Sequence, residues 1–221
     1  VRVETVKKNK NLLVTAFDAF GGEPINPSAM AMEMLPESID DVYVEKLLLP
    51  TVFGESLEKL EEAIDRLEPD AVICLGQAGG RAEITPERVA INIIDARIAD
   101  NAGQQLVDEP IAKDGDTAYF STLPVKAMVS AMKEAGLPSS LSNTAGTFVC
   151  NYIMYGLLHH LRTKKAIRGG FIHVPFIPEQ LERNPGNPAL EIEEIVRGLK
   201  ICLETVVKYE TDINVSEGSE F

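Results

Sequence analysis

Cysteine, histidine and positive charge are all scarce in this chain of 221 residues, and each scarcity excludes something. The three cysteines, Cys74, Cys150 and Cys202, are odd in number and far apart. They make no disulfide framework, and without a C-x-x-C pair they make no zinc site. The three histidines, His159, His160 and His173, include no pair at metal-ligand spacing, so no metal is expected. Lys and Arg number 21 against 34 Asp and Glu, a net charge of −13 that would be repelled by nucleic acid and by anionic membrane surfaces. No apolar run approaches the ~20 residues needed to cross a bilayer. The opening VRVETVKKNKN has basic residues but no apolar core behind them, so no signal peptide is expected. Residues 1–10 read as an N-terminal extension, in part foreign to the natural chain. Free thiols without a leader point to a reducing, cytoplasmic setting.

What remains is an ordinary globular composition, 45% hydrophobic and 25% charged, with no internal repeat and no Pro-, Gly- or Ser-rich linker. The length favours one large domain, residues 11–210, which can bury about 70% of its unfolded surface without a staple. Strand-length apolar runs at 11–17, 41–49, 70–75, 89–94 and 170–174 alternate with longer stretches of helical period. Residues 54–67 place Leu57, Leu60, Ile64 and Leu67 on one face. Residues 124–135 and 148–161 read as further helices. A long amphipathic helix over 189–209 is expected to open with Asn187 as cap and Pro188 as first residue. The acidic tail, 211–221, is expected to be disordered. Such alternation predicts an α/β fold, a three-layer α/β/α sandwich on a mostly parallel, twisted open sheet. Functional residues then gather at the carboxyl ends of the strands. A strand before Gly146 is expected to bring Cys150 to that rim.

Cys150 follows the turn at Gly146 and opens a predicted helix, where the helix dipole favours thiolate. A buried core cysteine is the plainer reading of any thiol in an apolar helix. His159 and His160 lie nine and ten residues further on, about 14 Å along the axis at ~1.5 Å per residue, and are out of reach. His173, ending the strand FIHVP, is the available base. Carboxylates are too plentiful for spacing to choose an orienting partner, although Glu87, after Thr85-Pro86 and before a strand, is well placed. Cys74 and Cys202 read as packing residues. The glycine turn GQAGGR lacks the spacing and the Lys-Ser/Thr of a phosphate cradle.

Three segments resemble the signatures of the pyroglutamyl peptidase I family, also called pyrrolidone-carboxylate peptidases. They are GQAGGRAEITPERVAIN (76–92), SNTAGTFVCNYIMY (142–155) and GFIHVPFIPEQ (170–180). LVTAFDAFGGEPINPS (13–28), NIIDARIADNAG (92–103) and AYFSTLPVKAM (118–128) fit the same pattern, and the match is collinear from about Asn11 to Tyr209. The resemblance implies a cytosolic cysteine peptidase with an open α/β/α sandwich, commonly a homotetramer. It would remove N-terminal pyroglutamate from peptides without a cofactor. It makes Cys150 the nucleophile, His173 the base and Glu87 the acidic member. It maps the ring pocket onto Phe17, Phe20, Thr51, Ile98, Phe148 and Val149, with Asn26 and the backbone at Gln77 as polar contacts and Arg97 near the reacting carbonyl.

Ala16 and Ala19 stand where the family pattern has Gly and Pro, and Ala99 where Pro is usual. A methyl at 16 would oppose a positive φ. Two competing readings are a nucleoside phosphorylase, which shares the sheet architecture, and a silent lactam-binding homologue with an altered first loop.

Overall fold

A computed structural model describes residues 10–164 and 166–218. Most of the N-terminal extension therefore lies outside the described residues, as do residues 219–221. In chain order the elements are β1 (Asn11–Phe17), α1 (Pro27–Met34), β2 (Ser38–Ile39), β3 (Val42–Leu49), α2 (Glu55–Leu67) and β4 (Ala71–Gln77). Short strands β5 (Thr85–Pro86), β6 (Val89–Ile91) and β7 (Ala118–Phe120) follow, then α3 (Val125–Glu134), α4 (Val149–Leu161), β8 (Arg168–Val174) and α5 (Ile192–Lys208).

Among the described residues the main sheet has the order β2-β3-β1-β4-β8-β5. Its centre is parallel: β1 pairs with β3 and β4, and β4 with β8. Both edges are antiparallel. The centre is covered on both faces, which is why β4 reads AVICLG with no polar alternation. Side chains of period 2 divide the core. Leu12, Val14, Ile73, Leu75, Ile172 and Val174 pack with residues of α1, α3 and α5. Leu13, Phe17, Val72, Cys74 and Phe171 pack with residues of α2 and α4 on the other side. The result is the three-layer sandwich expected from the alternation.

Local expectations and structure part in several places. α1 was not foreseen: Asn26 caps it, its side chain accepting from Ser28 N, and Pro27 takes the first position. The Asn-Pro at 187–188 does not open α5. Ala189 instead forms a parallel bridge with Phe176, the chain stays extended, and the helix starts after Glu191. The run 89–94 gives a strand only over β6, which pairs with β7 in a separate two-stranded ribbon. No strand precedes Gly146. That segment is tied by single parallel bridges, Ile84 with Ser139 and Glu87 with Ser142. Ala16 sits inside β1, fully buried, and none of the non-glycine residues at positive φ lies in the first loop, where Gly21 and Gly22 take that role.

The tail differs most. Residues 211–218, expected to be disordered, lie along α3. Pro124 gives that helix no side-chain cap, and Asp212 supplies one from a distance, its carboxylate accepting from Lys126 N and Ala127 N at 3.0 Å each. Lys126 Nζ donates to Val215 O, Lys133 pairs with Glu217, and Arg88 donates to Glu217 O. Losing a cap costs about 1 kcal/mol. Asp212→Ala should therefore lower the thermal midpoint by about 2–4 °C for a domain of this size. An unchanged midpoint in a melting experiment would mean that the tail does not cap α3.

Candidate active site

β8 and α4 meet at the carboxyl edge of the sheet. Alternation along β8 puts His173 on the same face as Phe171, toward α4, with the two rings 4.7 Å apart. Gly146, at φ +77°, turns the chain into α4 in a conformation that favours glycine. Cys150 is then the second residue of the helix, and Phe148 ahead of it contributes no side-chain cap. The N–H groups of the first helical turn lack intrahelical partners and carry the positive end of the dipole. Gly76 on β4 stands opposite His173 in register. A Cβ at Gly76 would lie 2.7 Å from the Phe171 ring and 3.0 Å from Cys150 Sγ, so the close approach of strand, ring and thiol requires glycine there.

Glu87 lies behind His173 and is wholly buried. Its position follows from the edge strand: Thr85 pairs with His173, and Glu87 N donates to Phe171 O at 2.9 Å. One oxygen, Oε1, accepts from His173 Nδ1 at 2.7 Å and from Arg81 Nη1 at 2.6 Å. An ionised carboxylate only accepts, so Nδ1 carries the hydrogen and Nε2 is left with its lone pair.

Burial works against the Glu87 charge. The hydrogen bond and charge of His173, with the charge of Arg81, outweigh it and hold the carboxyl below its ordinary range. Burial also pushes His173 below its ordinary 6.5, against the pull of Glu87 and with the help of Arg81. The Cys150 thiol is pushed up to about 12, first by burial and then by the charge of Glu87, with Arg81 opposing. The dipole argument made from sequence predicted the opposite direction, and desolvation wins over it. At neutral pH the resting site thus holds a thiol, a neutral imidazole and a carboxylate.

Cys150 and His173 line one cavity of about 650 Å³, with Phe20, Gln77, Arg97, Ile98 and Phe148 also on its walls. That volume is in the range of small-ligand sites and exceeds what a single five-membered ring needs. The remaining expected pocket residues have other partners. Phe17 is buried against Phe171, and Val149 is in the same core cluster. Asn26 is occupied at both ends, its amide N donating to Asp18 O at 2.9 Å and its oxygen accepting from Ser28. The Thr51 hydroxyl donates to Asp18 Oδ1 at 2.7 Å. A separate hollow of about 230 Å³, including Ala127, Ile201 and Tyr209, carries no histidine or cysteine. Among the described residues no group of three or more His, Cys, Asp or Glu is arranged to hold a metal ion, and no helix is long and apolar enough to cross a membrane.

Three positioning groups escaped the sequence reading. Asp18 Oδ1 gathers Thr51 N, the Thr51 hydroxyl and Asn101 Nδ2, joining the first loop to the loops after β3 and β6. Asn151, fully buried next to the thiol, bonds Ile91 N, Ile91 O and Ile93 O. Arg81 ends the motif GQAGGR, which belongs to a segment that carries the family resemblance and is the one signal that could have found it. Nothing local singles out Asp18.

The crowding at Gly76 gives a direct check. Gly76→Ala should cost about 1–3 kcal/mol of folding stability, the usual penalty of an overpacked core. Denaturant unfolding that left its stability unchanged would mean that Phe171 and the thiol are not held this close to β4.

Comparison with known proteins agrees over almost the whole chain. The sequence model of the family described as pyroglutamyl peptidase matches residues 10–209. A pyrrolidone-carboxylate peptidase of Clostridium perfringens is 53% identical over 209 residues, covering 94% of this chain and 98% of that protein. One from Brevibacillus brevis is 51% identical over 213 residues, covering 96% and 99%. The crystal structure of pyroglutamyl peptidase I from Bacillus amyloliquefaciens matches with a TM-score of 0.91 at 46% identity, covering 95% of this chain and 100% of that one. With a family match of this length and relatives at this identity, the chain belongs to the pyroglutamyl peptidase family.

Proposed function

We propose that this chain is a cysteine exopeptidase that hydrolyses the bond after an N-terminal pyroglutamyl residue, with Cys150 as nucleophile, His173 as proton carrier and Glu87 as its fixed partner. The observation that carries the reading is the 2.7 Å bond from His173 Nδ1 to Glu87 Oε1, on a histidine that shares a cavity with a cysteine at a helix start. Family membership supports the substrate.

The reaction is acyl transfer. His173 Nε2 accepts the proton of Cys150, and Sγ attacks the pyroglutamyl carbonyl carbon. The oxyanion that forms faces the free N–H groups of the first turn of α4. As the tetrahedral species collapses, the C–N bond breaks and His173 gives its proton to the departing amine, leaving a thioester on Cys150. Water, giving a proton to His173, then attacks the thioester. Pyroglutamic acid leaves, and the proton returns to the thiol. Glu87 keeps the imidazole in one tautomer and stabilises it while it is charged. No cofactor takes part.

Phe20, Phe148 and Ile98 are the walls for the lactam ring, whose faces are apolar and whose burial contributes about 25 cal/mol per Å². The lactam N–H and C=O each need a polar partner, because a buried unpaired group costs ~1–3 kcal/mol. The backbone at Gln77 is assigned one of these contacts, and Arg97 the neighbourhood of the reacting carbonyl. Phe17, Asn26, Thr51 and Val149 act behind these residues, holding the first loop and the start of α4 in shape. The proposal extends to a cytoplasmic homotetramer acting on peptides with N-terminal pyroglutamate. Three free thiols suit a reducing setting, and the assembly is what the family resemblance implies.

A fluorogenic pyroglutamyl amide tests the proposal, with Cys150→Ser and a prolyl amide alongside. The pyroglutamyl amide should be cleaved, and Cys150→Ser should lose at least about 10³-fold in rate. The prolyl amide, lacking the lactam carbonyl, should react on the order of 10⁴-fold more slowly. A folded, reduced chain that binds pyroglutamate without turnover would be the silent homologue instead.

A further inference from the structure

Arg81 has three anchors, and they belong to two different parts of the site. Nη1 donates to Glu87 Oε1 and to Thr85 Oγ1, each at 2.6 Å, and Nη2 donates to Thr144 O at 2.8 Å. Thr85 opens the edge strand, and Glu87 follows directly after it, behind His173. Thr144 begins the loop that runs through Gly146 to the nucleophile. The guanidinium thus shares one carboxylate oxygen with the imidazole and ties the nucleophile's loop to the same oxygen. Its planar fork suits this role, since an ammonium could not span three acceptors in fixed directions. With 27% of its side chain exposed against none of Glu87's, it connects a wholly buried charge to solvent.

From this geometry we infer that Arg81 is a positioning residue for the reacting pair, neutralising Glu87 so that the imidazole stays uncharged and ready to accept the thiol proton. The inference rests on the reading of Cys150 and His173 as that pair. Without the cation, the full charge of Glu87 would act on two neighbours, drawing a proton onto His173 and opposing ionisation of Cys150. The directions already described agree: Arg81 lowers both groups where Glu87 raises both. The other titratable groups facing the pair are Cys74, from β4, and Asp95 and Arg97, from the cavity wall. Arg88, next in sequence to Glu87, is turned to the tail and donates to Glu217 O.

The test is the pH dependence of two readouts, peptide-amide cleavage and alkylation of Cys150 by iodoacetamide. Alkylation needs no substrate, and Cys74 and Cys202 are fully buried, so it reports on Cys150 even if the proposed activity is wrong. Arg81→Gln should move the acid limb of kcat/KM, and the rise of the alkylation rate, up by about one pH unit, a loss of about tenfold on the acid side of each limb. Arg81→Lys keeps the charge and gives up the Thr144 tether. It should lower kcat while leaving the limbs within about 0.3 unit of wild type. If Arg81→Gln does not fold, Thr85→Val joins Arg81→Lys, since both retain the cation and both should keep the limbs in place. Limbs unmoved in folded Arg81→Gln, or shifted as far in the charge-retaining variants, would overturn the inference. Amide cleavage absent from wild type with the alkylation shift intact would overturn the peptidase reading and leave the role of Arg81 standing.

Discussion

A carboxylate with no exposure to water is held in its charged form at this site, and the local architecture is arranged around that charge. An isolated buried charge costs several kcal/mol, so Glu87 needs donors, and they arrive from two directions. His173 comes from the central sheet and Arg81 from the turn beyond β4. The antiparallel edge pairing of β5 with β8 fixes Glu87 behind the imidazole rather than beside it. The parallel centre leaves its strand ends at one rim, where α4 begins. The open cavity therefore presents the thiol and the imidazole, while the charge that organises them stays out of sight.

Most of the fold was legible because its signals are periodic and long. β1, α2, α3 and α4 fall within a residue or two of their expected bounds, each marked by an apolar period or by a glycine or proline at its end. The failures are all cases in which tertiary pairing decides a local question. Asn-Pro at 26–27 and Asn-Pro at 187–188 carry the same helix-opening signal. At 26–27 it starts α1, and at 187–188 it is overridden by the bridge between Ala189 and Phe176. Nothing within a few residues distinguishes them. The missing strand before Gly146 is similar, an extended segment held by isolated bridges too sparse to make a ladder.

The site was legible to a different depth. Residue chemistry alone left Cys150, His173 and Glu87 as one guess among several, since carboxylates are abundant and a strand histidine is more often a core residue. Long motifs and their order along the chain carry the resemblance to the family. Motifs do not say which residues touch a ligand and which stand behind those that do. Asn26 and Thr51 belong to the first loop's own hydrogen bonds, a fact that depends on where Asp18 lies across the chain. Burial likewise reversed the expected direction for the thiol, because a helix position is visible in sequence and desolvation is not.

The cap on α3 ties two distant parts of the chain into one local equilibrium. Asp212 sits 85 and 86 residues from the amides it accepts from, so the first turn of α3 has no complete end of its own. Fraying of the chain's end and fraying of that turn become a single event, and the amides of Lys126 and Ala127 will exchange with solvent at the rate at which the tail lifts. Glu217 O bonds to Arg88, next in sequence to Glu87, so the same lifting also frees the side chain adjoining that carboxylate. The residues beyond the family match at 209 thus behave as a clasp whose opening is readable in hydrogen exchange at a helix far away in sequence.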